Sequence, residues 1–492
     1  MAPPGNQAAN RENKHQPVVS VETGLLDSIE NGHSGGGKIY RRYKEDFMKK
    51  AKGKVIFLSA ALLVVLSLSI FIPDSIAKPV IRHDNGNGIY VGAAKVVITP
   101  NLQKVSPYVG KNDDLHARCV LISWKNIYVA LVSLDLLGVG LTDIVLPIRN
   151  KVNETYGIPG DYVLIGSTHT HASGVDVQGV YGGNTKPYIF KEYKPFLIEK
   201  IVEVVGLALN DLRRSTVQIG TIWVNNLTFN RRYYPAEGPK DDELTALRFR
   251  DLDNQTIATL VNFPSHPVIT MTGNLISADF VGYLCGRLED EFGGVGIFFN
   301  GAQGNINPFM FIKYNSPYQR GDPKMYEAAE EFGNDLAEYA MQALNGGKVF
   351  KNLPLEVAKV SVDLPLENQS FIWAILNGLI IRQIIPVDGG YIMQTEVSGI
   401  KMGPIEMLTV PGELFSELAL LLKGNMPKYG FLLGLTTEAL GYIIPPDQWN
   451  PGAGEVGESM SVGPKTAPIL VDALLQTISE LEYDYEGARL QR

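Results

Sequence analysis

Seven histidines occur in 492 residues, and three of them stand where an apolar run gives way to a loop. The stretch YVLIGSTHTHASG (162–174) reads as a strand followed by small residues, and it carries His169 and His171. If the backbone stays extended there, side chains two apart share a face and both imidazoles point the same way. His-x-His is a recurrent way to bring two imidazoles to one metal ion, and neutral imidazole suits Zn²⁺ well. A pair of hydrogen-bonded loop histidines fits the same pattern. The second stretch is LVNFPSHPVIT (260–270), where Pro267 biases His266 toward an extended backbone. His15, His33, His83 and His116 lie in polar or loop-like sequence. Two histidine sites at similar strand-to-loop junctions argue for a shared centre.

Three further stretches could contribute. NGAQGNINP (300–308) follows the apolar GIFF, and its glycines allow close backbone approach while Asn305 and Asn307 supply hydrogen-bonding groups. In VPGELFSEL (410–418), Glu413 reads as the opening of a helix over 413–424, after a Pro-Gly turn. EALGYIIPP (438–446) contains Tyr442, whose default reading is a buried strand residue.

To hold these groups the chain needs a substantial scaffold. It is 45% apolar and 20% charged, which excludes a disordered or fibrous protein. The net charge of −8 argues against a nucleic-acid partner. Two cysteines, Cys119 and Cys285, exclude a disulfide scaffold. Strands are expected over 118–123, 127–134, 161–166, 217–223, 244–250, 257–262, 295–299, 355–363 and 405–410. Helices are expected over 141–155, 190–211, 279–291, 324–345, 413–424 and 466–481. The alternation predicts an α/β class, with one large catalytic domain of mixed β-sheets flanked by helices over 89–485. The uncharged run FIWAILNGLII (371–381) reads first as a buried helix or strand. It also suits an apolar wall beside an acyl-chain pocket or a membrane surface.

The N-terminal part differs in character. Residues 1–54 hold ten basic and six acidic side chains, net +4, against net −12 for the remainder. They read as a disordered basic tail. Residues 55–72 carry no charge over eighteen positions, long enough for a single N-terminal transmembrane helix. The basic cluster before it predicts a type II orientation, with the tail in the cytosol and the large domain lumenal or extracellular. Ser75-Ile76-Ala77 resembles a cleavage site, but so long a preceding region favours an uncleaved anchor. Residues 73–88 form a linker. Sequons at Asn153, Asn226, Asn254 and Asn368 are compatible with a secretory route.

The order and character of these five stretches resemble the neutral/alkaline non-lysosomal ceramidases. YVGAAKVVITP (90–100) is similar to that family's opening strand and turn, and NRR (230–232) to its Asn-Arg motif. The resemblance implies a Zn²⁺ held by His169, His266, Glu413 and Tyr442. It implies His171 as a hydrogen-bonding or proton-transferring residue and Arg231 as a ligand for the substrate head or oxyanion. It covers the catalytic domain only, without the C-terminal immunoglobulin-like domain of larger members. Asn307 in GNINP occupies the position of the family's catalytic Ser. The expected reaction is therefore attack on an N-acyl (sphingo)lipid amide by water, whose pKa a zinc ion brings from ~15.7 toward ~7. Two alternatives stand beside it: hydrolysis of a non-lipid amide or ester, and a non-catalytic lipid-binding ectodomain. A deep apolar pocket beside the metal would favour the lipid, and a shallow polar one a small soluble substrate.

Overall fold

A computed structural model describes residues 88–178, 186–314, 322–450 and 456–490. These all fall within one compact unit. The expected tail 1–54, the anchor 55–72 and nearly all of the linker lie outside the described residues. Among those that are described, no helix is long and apolar enough to cross a membrane.

The scaffold starts from strands with uninterrupted apolar sequence. All eight residues of Thr256–Phe263 and all five of Val163–Ser167 are buried, as expected of strands covered on both faces. They belong to a nine-stranded sheet. Its order is Val295–Asn300, Thr256–Phe263, Glu243–Asp251, Arg213–Trp223, Ile89–Val97, His116–Trp124, Ile127–Leu134 and Val163–Ser167, with Lys348–Lys351 paired to Arg213–Trp223. The terminal pairs at both ends are parallel and the inner ones antiparallel.

The sheet curls until its two ends approach each other. Ser133 Oγ donates to the Phe298 carbonyl at 2.5 Å, and the side chain of Asn300 donates to the Thr168 carbonyl at 3.0 Å. A Cβ at Gly166 would stand 2.9 Å from the Phe299 ring. Strands far apart in sheet order thus deliver their C-terminal ends to one place.

A second, five-stranded sheet is built from Leu355–Leu366, Gly390–Met402, Ile405–Thr409, Tyr429–Leu433 and Ile385–Val387. Its residues Ile400, Met402, Met407 and Phe431 share one buried cluster with Val91, Val120, Leu247 and Ile297 of the first sheet. Helices cover the remaining faces. Lys324–Asn345 buries Met325, Ala328, Ala329, Phe332, Leu336, Ala340 and Ala343, the three-and-four spacing of one helical face.

The helix expected over 141–155 is a π-turn at Leu141–Val145 followed by an α-helix at Leu146–Tyr156. The one expected over 190–211 begins the same way, with a π-turn at Ile189–Tyr193 before Lys194–Asn210. Pro147 and Pro195 lie at the joins. Proline lacks the N–H and its ring crowds the carbonyl four residues back, so the preceding turn widens.

Two expectations need correction. Glu413 does not open a helix. Glu413–Leu414 is a short strand parallel to Tyr442–Ile443, and the helix starts at Ser416. Pairing between segments distant in sequence overrides the local Pro-Gly-Glu signal. The apolar run 371–381 is not a buried element either. The helix Gln369–Leu376 has no buried residue, and Trp373 and Leu376 are each 60% exposed. Cys119 and Cys285 are buried free thiols.

Helix Lys324–Asn345 reaches the sheet by contact at Gly220, where a Cβ would stand 1.8 Å from the Ala343 carbonyl oxygen. Gly220→Ala is expected to cost about 1–3 kcal/mol by forcing the helix off the sheet. Thermal unfolding should show a lower melting temperature, and an unchanged one would contradict this packing.

Candidate metal centre

Val163–Ser167 ends where the chain leaves the sheet, and the next residues are tied down one by one. Ser167 N donates to Leu435 O, Thr168 N to Leu134 O, and His169 N to Leu136 O, at 3.1, 2.8 and 2.9 Å. His169 has φ +75°, so the extended backbone expected through THTH breaks at that residue. The imidazoles of His169 and His171 nevertheless converge, with their Nε2 atoms 3.3 Å apart. Left-handed backbone at a non-glycine residue costs on the order of 1 kcal/mol or more and persists where surrounding bonds impose it.

His266 arrives from the opposite end of the sheet. Asn300 joins the two histidine loops. Its amide nitrogen donates to Thr168 O and Ser265 O, both at 3.0 Å, and its oxygen accepts from Ser265 N at 3.1 Å. Glu413 comes on the short strand that pairs with Tyr442, so the two side chains are neighbours. Gly304 lies under that strand. Its N–H donates to Leu414 O at 2.8 Å, and a Cβ there would stand 2.5 Å from Glu413 O. This is the close approach that the glycine-rich loop allows.

The hydrogen bonds assign the tautomers. His169 Nδ1 lies 2.6 Å from Leu137 O, and His266 Nδ1 lies 3.1 Å from Ile306 O. A carbonyl only accepts, so each Nδ1 carries the proton and each Nε2 presents a lone pair. Both lone pairs face one carboxylate oxygen, Glu413 Oε2, at 3.2 Å from His169 and 3.0 Å from His266. His169, His266 and Glu413 are 5%, 1% and 7% exposed. With both imidazoles neutral, these three converging acceptors repel unless a proton or a metal cation occupies their meeting point. An imidazole whose second nitrogen is fixed by a carbonyl is also the usual arrangement of a metal-ligating histidine. The donor set therefore fits a divalent metal. His171 adds a third imidazole, since ligand nitrogens of His169, His171 and His266 all lie within 4.8 Å of one another.

The electrostatics agree. Burial pulls the His266 pKa down to about 4, against the pull of Glu413. Burial and the neighbouring imidazoles hold His171 well below its ordinary value. Both are neutral at pH 7. Burial lowers His169 too, but the Glu413 charge and hydrogen bond outweigh it and leave the pKa raised. Glu413 is held well below the ordinary carboxylate range, because His169 and His266 outweigh its burial. Tyr442 is pushed up to about 12 by burial and by Glu413, so its hydroxyl stays protonated.

Arg231 sits over the Tyr442 ring, its guanidinium carbon 5.0 Å from the centroid, and donates to Gly304 O at 2.9 Å. Asn307 is in the strand Ile306–Pro308, beside the Ile306 carbonyl that fixes His266, and its buried Oδ1 has no hydrogen-bond partner among the described residues. His169, His171, His266, Glu413, Tyr442 and Arg231 thus form one cluster, with Asn307 on the segment that holds it.

A cleft opens onto His169 and Glu413. Leu137, Phe371, Ile375, Ile380, Met393 and Val462 line it, which gives 371–381 its place as an apolar wall. The sequence reading missed Asn300 and the pair Arg382–Glu438 inside the cleft. Asn300 had a signal, an amide at the end of a buried strand just before a glycine. For the pair no local pattern existed.

No family model matches the sequence. Among solved structures, the chain is similar to neutral ceramidase from Pseudomonas aeruginosa, with a TM-score of 0.64 and 17% identity over 81% of this chain and 75% of that one. It is also similar to a ceramidase complexed with C2, with a TM-score of 0.63 and 16% identity over 81% and 76%. These likenesses establish that the chain has the fold of those enzymes.

Because the Glu413 charge raises the His169 pKa, this imidazole holds its proton to higher pH than an ordinary histidine, and a metal must displace that proton. Uptake of a divalent cation by metal-free protein near pH 7 is expected to release protons. Calorimetry in buffers of different ionisation enthalpy reads the number, which should fall as pH rises past the folded-state value. Uptake with no proton release would contradict the assignment.

Proposed function

We propose that the chain is a zinc-dependent amidohydrolase acting on an N-acyl lipid, of the (sphingo)lipid type that a ceramidase cleaves. The observation that carries this reading is the convergence of His169 Nε2, His266 Nε2 and Glu413 Oε2 at the end of an apolar cleft. The likeness of fold to neutral ceramidases supports the reaction class, and the apolar lining favours a lipid over a small soluble amide. The uncharged run 55–72 would serve as the membrane anchor of such an enzyme and keep the cleft near its substrate.

The residues that would hold the metal are His169, His266 and Glu413, with Tyr442 at their flank. When bound there, zinc supplies Lewis acidity and makes a water molecule acidic enough to ionise near neutral pH. The chain's own groups do the rest. His171 is neutral at rest, so it takes a proton from the attacking water and returns it to the departing amine nitrogen. This ordering differs from a histidine that starts as the acid, because its surroundings disfavour the charged form. Arg231 and the Tyr442 hydroxyl donate to the carbonyl oxygen as negative charge develops on it. The Asn307 carboxamide positions the carbonyl or the water and cannot itself be the nucleophile. The balance is hydrolytic: the amide C–N bond breaks, hydroxyl adds to the carbonyl carbon and a proton goes to nitrogen.

The test uses the full-length chain in detergent micelles with a panel of long-chain N-acyl amides. Hydrolysis is expected, lost on chelation and restored by zinc. His169→Ala and His266→Ala should each remove bound metal and at least 10³-fold of the rate together, since each leaves the other ligands without their partner. Unchanged metal content and turnover in both variants would remove the reading.

A further inference from the structure

Arg382 and Glu438 form an ion pair inside the cleft that His169 and Glu413 also line. Their side chains are only 7% and 4% exposed. The pairing is bidentate, with Arg382 Nε donating to one carboxylate oxygen and Nη2 to the other, both at 2.9 Å. Nη2 also donates to Gln394 O, and Nη1 donates to Gln383 O at 3.3 Å. A guanidinium has five N–H groups, so among the described residues one Nη1 hydrogen remains without a partner, as does a second lone pair on each Glu438 oxygen. The cleft that holds the pair is lined mainly by apolar groups, among them Phe371, Ile375, Ile380 and Met393, with Asp143 and Gln178 as further polar ones. A buried pair in such surroundings is seldom explained by stability, because apolar residues of similar volume usually serve as well.

The backbone that carries Glu438 points the same way. The turn from Tyr429–Leu433 to Tyr442 has Leu435 at φ +51° and Thr437 at φ +86°, conformations that a branched side chain resists. It is held there by bonds to the strand Val163–Ser167, which leads to His169. Ser167 N donates to Leu435 O at 3.1 Å and Thr437 N donates to Ile165 O at 2.8 Å. Glu438 is thus aimed into the cleft by the same strand that positions the candidate metal ligand.

The geometry points to Arg382 and Glu438 as a specificity-determining pair that reads a hydroxyl group on an amphiphilic substrate. A hydroxyl donates to a spare Glu438 lone pair and accepts the spare Arg382 hydrogen, and being neutral it leaves the ion pair intact. A charged group would compete with one partner and strand the other. A plain methylene chain leaves both spare valences unmet in a desolvated site, the situation in which polar pockets discriminate most strongly. The inference deepens the amidohydrolase reading and rests on it for the amide, while the binding step stands apart from turnover.

The test is binding by the zinc-loaded, full-length protein in micelles. The probes are long-chain N-alkyl sulfonamides, which resist hydrolysis, each with one hydroxyl at a different carbon, plus the unsubstituted parent. At least one hydroxylated probe is expected to bind about 10-fold or more tighter than the parent. In the double variant Arg382→Met/Glu438→Leu that preference should fall to about 1-fold, with the parent bound as tightly as before. Wild-type protein with no preference at any position overturns the proposal without reference to any variant, and so does a preference that survives in the folded double variant. If wild type shows the preference yet cleaves no N-acyl amide, the amidohydrolase reading fails and the pair's role stands. If it cleaves amides with no hydroxyl preference, the pair's role alone fails.

Discussion

Two imidazole lone pairs and a carboxylate oxygen, all buried, aim at one point. That is the constraint on which the rest of the site depends. His169 and His266 each surrender Nδ1–H to a backbone carbonyl, so neither can relieve the contact by switching tautomer. A proton can relieve part of it, and the raised pKa of His169 is the trace of that partial solution. A divalent cation relieves all of it at once. The low pKa of His266 and of His171 follows from their burial, to which the neighbouring imidazoles add at His171.

The architecture can be read as the means of making that convergence. The histidine loops begin on strands at nearly opposite ends of a nine-stranded order, and only the curling of the sheet brings them together. Asn300 then fastens one loop to the other with three hydrogen bonds. Glu413 and Tyr442 enter together from a two-residue parallel pair, so the candidate acidic ligand and the hydroxyl beside it share one register. Backbone strain gathers in the same place, at His169, Leu435 and Thr437. Such conformations persist only where many bonds oppose their relaxation. Phe371, Ile375 and Ile380 form an apolar wall of the cleft, and the buried pair Arg382–Glu438 sets a polar feature beside it.

How much of this was legible in the sequence depends on range. Ile127–Leu134 and Lys324–Asn345 match the expected strand and helix because their patterns are local: an apolar run in one, a three-and-four spacing in the other. His169, His171 and His266 stood out as motifs whose residue type suggested a metal, whereas Glu413 and Tyr442 joined them only through the resemblance to the neutral ceramidases. Their geometry did not follow from the motifs. His-x-His suggested an extended backbone, but the bonds to Leu134 and Leu136 force His169 into a left-handed turn. Pro-Gly-Glu suggested a helix start, but pairing with Tyr442 made a strand. Arg382 and Glu438 left no sequence signal, because each is an ordinary charged residue until the fold encloses it. The amphiphilic run 371–381 was visible as unusual, and only the position of the cleft decided which of its two readings applied.

The most direct test is anomalous diffraction at the zinc edge from crystals of the metal-loaded protein. The account predicts one strong peak in the cleft, about 2.0–2.2 Å from His169 Nε2, His266 Nε2 and a Glu413 carboxylate oxygen. A map with no peak there, and with His266 still in direct contact with Glu413, would contradict it.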